Sequence, residues 1–353
     1  LIPLSRPNIG EEEKEAVSDV LSSGWWTMGP VTEKLEKEFA EYKGCRYAVA
    51  VNSCSSALIL AVDNVFGAEH GRVLTPTMTF CATTNSLIHN GIDPVFVDSK
   101  KHSPQIDIDS AGYWFDKVDG VVPVHFGGWR CEKDKIRGYA EKYGWKVVFD
   151  SAHAVEGKED YIGDASCYSF NPIKNLAAPE MGMICTNNED LYHTLRNQRL
   201  HGMSVDAHNR VVKPGSYDIV SLGHKMNCTD VEAAVALCQL RKLDSNLQKR
   251  LDIINYYTDN IKHDYFFDGV HLFQMFIKNK QRFIMNMKED GICCGIHYKP
   301  VHLHPYYKMN YFTRPDMYMN AERIGEDTVS LPLGPGMTDS EVEKVVERAN
   351  KHL

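Results

Sequence analysis

The sequence predicts an α/β fold: a large unit built on a mostly parallel sheet of about seven strands, and a smaller C-terminal α+β unit. Two observations predict the large unit. Short β-branched runs at 47–51, 73–76, 94–97, 120–124 and 146–150 alternate with helix-like stretches at 55–66, 80–89, 108–117 and 131–143. The runs are apolar throughout rather than alternating, as expected of strands covered on both faces by crossover helices. For the smaller unit, helical spacing from 229 to 262 gives way to short strand candidates and a last helix. The division is expected at residues 1–230 and 231–353.

The elements follow in order. Residues 11–22 (EEEKEAVSDVLS) begin with acids and read as an amphipathic helix. After the segment SGWWTMGP, a second helix is expected over 31–42, and the alternating rhythm then starts. Two further strands, near 165–169 and 182–186, extend the sheet, and a helix follows near 189–200. A polar irregular stretch covers about 203–228. Thr229-Asp230 then starts a helix carrying Val231, Ala234, Val235, Leu237 and Leu240. The last helix is expected near 338–352, capped by Thr338 or Asp339.

Composition narrows the function classes. The 353 residues are 43% hydrophobic and 24% charged, with a formal net charge of −8. That balance gives no basic footprint for nucleic acid or an anionic membrane surface. No apolar stretch approaches a membrane span. The ten cysteines show neither CxxC pairs nor disulfide-like spacing, which suits reduced, buried thiols. The opening residues LIPLSRPNIGEEEKEAV lack a basic region followed by an apolar one, so the expected location is cytoplasmic.

Ligands of open α/β sheets bind beyond the carboxyl ends of strands. Asp150 ends the run KVVFD, and His153 follows three residues later. Lys174 lies in the turn NPIKN, just after SCYSF. The segment Asn52-Ser53-Cys54-Ser55-Ser56 joins a strand to a helix, where backbone N–H groups and hydroxyls form a phosphate cradle. Singly, these features have ordinary readings: a solvated lysine, a capping aspartate, a small-residue turn. Together they match the needs of pyridoxal 5′-phosphate (PLP), namely an amine for the aldehyde, an acid for the ring nitrogen and an anion site.

A collinear series of motifs strengthens this reading. It comprises GWWTMGPVTEKLEKEFAEYKG, VNSCSSAL, TPTMTFCATTNSL, PVHFGG, FDSAHAVEG, YSFNPIKN, RLHG, LGHKMNCTDVEAAVALCQL, IHYKPVHLHPYY and SLPLGPGMT. In these the chain resembles the DegT-type sugar aminotransferases, which are fold type I PLP enzymes. The resemblance implies that Lys174 is the Schiff-base lysine and Asp150 the acid at the pyridine nitrogen. It places His153 near the cofactor's 3′-oxygen, Phe80 against the ring, and Cys54, Ser55 and Ser169 at the phosphate. Lys225 and Asn227 would reach the cofactor of a second subunit, so a homodimer is expected. His297 and Tyr298 would border the sugar.

The implied reaction moves an amino group, with glutamate as expected donor, through the pyridoxamine (PMP) form to a keto sugar, expected to be nucleotide-linked. Three alternatives remain: an aminocyclitol acceptor, a PLP-dependent sugar dehydratase, and a PLP-binding regulator without turnover. Lys174 argues against the dehydratase, because dehydratases of this kind carry histidine there. Two departures stand out: Cys54 replaces the usual glycine, and LAAPEMG follows the lysine in place of a more glycine-rich stretch.

Other residues carry weaker signals. Nothing near Cys54 supplies a base, so a nucleophilic role is not expected. His297, His302 and His304 are irregularly spaced, without accompanying carboxylates or thiols, and no metal is expected. His125 could face the cofactor or support its turn. Arg6 and Arg199 are read equally as anion binders or as surface ion pairs, and one of Trp25 and Trp26 as an N-terminal anchor.

Overall fold

In a computed structural model, which describes residues 1–67, 71–205, 208, 216–266 and 269–353, seven strands form the central sheet. They are β1 (Tyr47–Val51), β2 (Arg72–Pro76), β3 (Asp93–Val97), β4 (Gly120–Val121), β5 (Lys146–Asp150), β6 (Ala165–Ser169) and β7 (Gly182–Thr186). The spatial order is β1-β7-β6-β5-β4-β2-β3. β3, β2, β4, β5 and β6 run parallel, whereas β7 lies antiparallel between β1 and β6. β7 therefore does not prolong the sheet at its edge: it inserts, and β1 becomes the edge strand. Its residues are buried along their length, like nearly all of the other strand residues, so the sheet is covered on both faces.

Helices α1 (Glu11–Ser23), α2 (Pro30–Lys43), α3 (Cys54–Phe66), α4 (Cys81–His89), α5 (Lys133–Tyr143) and α6 (Glu189–Gln198) accompany these strands. The expected helix at 108–117 is instead a 3-10 segment, Ile108–Trp114. Only Ile108 and Ala111 are buried on it, and Gly112 within it disfavours helix, so little supports a longer one. The single helical stretch expected over 229–262 is two helices, α7 (Asp230–Arg241) and α8 (Leu243–Asn260), separated at Lys242.

The break has a packing reason. α7 buries Ala233, Ala236, Leu237 and Leu240 in one cluster with Leu35, Phe39, Tyr168 and Phe170. The far part of α8 buries Ile253, Ile254 and Tyr257 in another, with Phe273, Met275 and Val345. A straight helix cannot direct its apolar stripe into both.

Thr229 caps α7, and Glu232 answers from the third position. Asp230 has a second role: its carboxylate accepts the N–H groups of Gly29, Val31 and Thr32 and so caps α2 from outside.

The second cluster surrounds a three-stranded antiparallel sheet of β8 (Tyr265–Phe266), β9 (Phe273–Phe276) and β10 (Thr328–Leu331), ordered β10-β9-β8. α9 (Lys280–Glu289), α10 (Pro305–Asn310), α11 (Met319–Asp327) and α12 (Asp339–His352) complete the chain. Thr338 caps α12. The first residues belong to this cluster too: Ile2 is buried within it, its N–H bonded to Gly291 and its C=O to Cys293. No helix among the described residues is long and apolar enough to cross a membrane.

Candidate active site

A cavity of about 350 Å³ opens at the carboxyl ends of β5 and β6. The β1–α3 turn supplies its anion end. Ser53 is the N-cap of α3, accepting the Ser56 N–H at 3.1 Å, and Cys54 and Ser55 line the cavity with the first helical turn. First-turn N–H groups have no partner within their own helix, and the helix dipole favours an anion there. Behind the turn runs β7, which is possible only because residue 182 is glycine. A Cβ there would lie 2.4 Å from the Ser53 carbonyl carbon and 2.6 Å from the Cys54 nitrogen. Ser169, at the end of β6, pairs in register with Gly182 and so reaches the same end of the cavity.

Asp150 sits at the floor, buried. Its Oδ2 accepts the Thr83 hydroxyl at 2.7 Å and its Oδ1 the Ala152 N–H at 3.1 Å. Burial raises its pKa, while those two donors and the nearby Lys174 lower it. A buried carboxylate with two donors retains capacity for a cationic partner.

Lys174 closes a β-turn, Asn171-Pro172-Ile173-Lys174, with its N–H on the Asn171 carbonyl at 2.8 Å. Burial pushes its amine down to about 8, against the opposing pull of Cys54 and Asp150. The Cys54 thiol is itself pushed far up by burial, which suits a packing residue rather than a nucleophile.

His153 is buried, with its pKa well below the usual range because of burial and the charge of Lys174. The Gly127 N–H donates to its Nδ1 at 3.0 Å, so the ring proton is on Nε2, 3.2 Å from the Tyr298 hydroxyl. Tyr298 and Phe80 face each other at the rim, with ring centroids 5.7 Å apart. Phe80 is 55% exposed toward the cavity mouth. His297 also lines the cavity and bonds Ser330 at 2.9 Å.

The structure thus gathers Cys54, Ser55, Phe80, Asp150, His153, Ser169, Lys174, His297 and Tyr298 around one cavity. Lys225 and Asn227 do not line it. They bond to each other next to Met226, whose carbonyl accepts the Asn52 N–H at the β1–α3 turn.

The structure decides the readings left open and corrects the one for Arg199. Arg199 is neither an anion binder nor a surface pair: it is fully buried, donating to Glu36 and to the Ala50 carbonyl. Arg6 forms an ion pair with Glu341 and does not line the cavity. His125 supports its turn, accepting the Cys131 N–H, and burial holds its pKa at about 3. His302 lies between Thr77 and Glu322, apart from His297. Trp25 donates to the Met28 carbonyl, whereas Trp26 is largely exposed. Sequence reading missed Thr83 and Gly182. Thr83 carries a faint signal, as a hydroxyl one helical turn after Thr79 at the start of α4.

Comparison with known proteins follows the same lines. Residues 7–350 match the model of the DegT/DnrJ/EryC1/StrS aminotransferase family. The chain belongs to this family. The spore coat polysaccharide biosynthesis protein SpsC of Bacillus subtilis is 37% identical, over 98% of this chain and 95% of that protein. Among solved structures, Spr1654 of Streptococcus pneumoniae, assigned as a sugar aminotransferase and solved in its PMP form, superposes with a TM-score of 0.91. It is 29% identical, over 99% of this chain and 98% of its own. Helicobacter pylori PseC, an aminotransferase of pseudoaminic acid biosynthesis, gives 0.91 at 25% identity, over 99% and 98% of the two chains.

The chain is accordingly a PLP-dependent aminotransferase of fold type I. Its cavity fits that cofactor on its own terms, with an anion end, a buried carboxylate and a lysine whose amine is part-neutral near physiological pH.

Proposed function

We propose that the enzyme transfers the amino group of glutamate to a keto sugar carried on a nucleoside diphosphate, acting as a homodimer in the cytoplasm. The observation that carries the reading is the meeting of Lys174, Asp150 and the Ser53–Ser55 turn around one cavity. A role in sugar metabolism is supported by the relatives, named for polysaccharide and pseudoaminic acid biosynthesis. The reducing compartment is supported by ten free thiols.

When bound, PLP supplies a reactive carbonyl carbon and an electron-accepting ring. Lys174 would hold the cofactor through its amine, and its free amine would serve as the base that moves the proton. Asp150 would pair with the ring nitrogen, and a cation there would offset the effect of burial on its carboxyl. Cys54 and Ser55, by backbone N–H, and Ser169, by hydroxyl, would hold the phosphate. Phe80 would lie against the ring. His153 would donate from Nε2 toward the ring oxygen, and His297 and Tyr298 would border the sugar.

The dimer is supported by an exposed apolar stretch, Ile219, Val220 and Leu222, directly before Lys225. Lys225 and Asn227 would then serve the cofactor of the second copy. The division into a larger and a smaller domain, expected near residue 230, belongs to the same proposal, with α7 packed on the larger core and the chain passing to the smaller core beyond Lys242.

The test is an absorbance spectrum with PLP before and after glutamate, with Lys174→Ala alongside. The expected result is a cofactor band that glutamate converts and that the variant cannot form by itself. Keto sugar nucleotides should then restore the starting spectrum. Absence of any band at saturating PLP would overturn the proposal.

A further inference from the structure

Behind His153 lies a second histidine that the cavity itself does not use. His271 is 4% exposed, and its ring centroid is 4.3 Å from that of His153. It arrives from the C-terminal part of the chain, two residues before β9. Its approach depends on two glycines in backbone contact: a Cβ on Gly269 would lie 2.4 Å from the Gly128 carbonyl carbon. Gly127 then joins the two partners. Its carbonyl accepts the Leu272 N–H at 3.3 Å, next to His271, and its own N–H donates to His153 Nδ1 at 3.0 Å.

The hydrogen bonds fix the protonation of His271. Asn175 donates through Nδ2 to the Glu156 carboxylate, which orients the amide and leaves its Oδ1 toward His271 Nδ1 at 3.2 Å. An amide oxygen only accepts, so Nδ1 carries the proton. Nε2 is then a bare lone pair, buried and without a hydrogen-bond partner. A neutral ring of this kind packs against His153 without adding charge beside Lys174 and without competing for the His153 proton. Burial and the neighbouring His153 and Lys174 hold its pKa well below the usual histidine range, in accord with that assignment.

We propose that His271, anchored by Asn175 and Glu156, is a positioning residue that holds the His153 ring in the orientation from which Nε2–H serves the bound cofactor. It rests on the proposed role of His153 at the cofactor's ring oxygen. The C-terminal part of the chain thereby contributes to the electronic state of the cofactor without touching it.

The test uses the PLP-loaded enzyme and the variants His271→Ala, His271→Phe and Asn175→Leu. Two readouts apply besides turnover: the pH titration of the cofactor absorbance band, and the rate of cofactor release into a PLP-trapping buffer. Loss of a packed aromatic partner corresponds to roughly a two- to tenfold change. His271→Ala should therefore shift the band titration measurably and speed release by about that factor. Asn175→Leu should do the same to a smaller extent, because the ring remains but loses its anchor.

His271→Phe keeps the volume and secures the test should the alanine variant unfold. Like Asn175→Leu, it should speed release less than the alanine variant does, and it should alter the band titration, since Nδ1–H and its anchor are gone. Unchanged band titration and release in all folded variants would overturn the proposal. Failure of the unmutated protein to bind PLP would instead count against the active-site reading on which it rests.

Discussion

Replacing Gly182 with alanine tests how the phosphate turn is held. The new Cβ would stand 2.4 Å from the Ser53 carbonyl carbon, 2.5 Å from its oxygen and 2.6 Å from the Cys54 nitrogen. Non-bonded carbon atoms rest about 3.5–4.0 Å apart, so the two segments must separate by roughly 1 Å. Every offending atom is backbone, so no side chain can turn aside. β7 cannot retreat, because Gly182 is in register with Val51 on one side and Ser169 on the other. The turn must move instead.

Overpacking of this kind costs about 1–3 kcal/mol of folding stability. A hydrogen bond to a charged group contributes about 1.5–3 kcal/mol, so loss of one phosphate contact weakens cofactor binding by about ten- to a hundredfold. Titration of the apoenzyme with PLP, followed by absorbance, reads the second quantity, and thermal unfolding reads the first. Lys174 is untouched, so saturating PLP should restore the glutamate-dependent spectral change. Native affinity with a native Tm would refute the claim that β7 braces the turn.

Two further outcomes are expected. The amine of Lys174, with its pKa near 8, is about one-tenth neutral at pH 7 and half neutral at pH 8. Wherever free Lys174 limits the rate, as in stopped-flow proton transfer from bound substrate, that rate should rise with pH and level off above about 8; a flat profile from pH 6 to 9 would contradict its role as the base. Glu36→Gln leaves the buried Arg199 guanidinium without its counter-charge, which should destabilise the fold by about 3–5 kcal/mol in urea titration while leaving the cavity residues in place.

Much of the cavity was legible in the sequence because its residues sit at the ends of recognisable elements. Asp150 closes an apolar run, Lys174 follows another in a proline turn, and Ser53–Ser55 lie where a strand changes to a helix. What escaped was set by contacts between distant segments. Gly182 matters only because Ser53 lies against it, and His271 only because Gly128 and Gly269 bring it to His153. Arg199 gives no local sign that Glu36, earlier in the chain by 163 residues, awaits it in the interior. An apolar run such as GMICT signals a strand but not its direction, so the antiparallel insertion of β7 was invisible. The break at Lys242 escaped for the same reason: the helical spacing runs through it, and only the two separate cores require the change of direction.

The place of β7 also orders events during folding. β1 has one strand neighbour, and that neighbour lies about 130 residues further along the chain. During synthesis the segment that follows β1 therefore emerges early but stays unbraced while five other strands are made. Closing so long a loop is entropically slow and comes late. The anion end of the cavity is consequently among the last parts to set, although Ser53–Ser55 are translated long before β7. Cofactor capture during refolding should lag behind helix formation and coincide with the docking of β7, so that PLP would stabilise the completed sheet rather than template it.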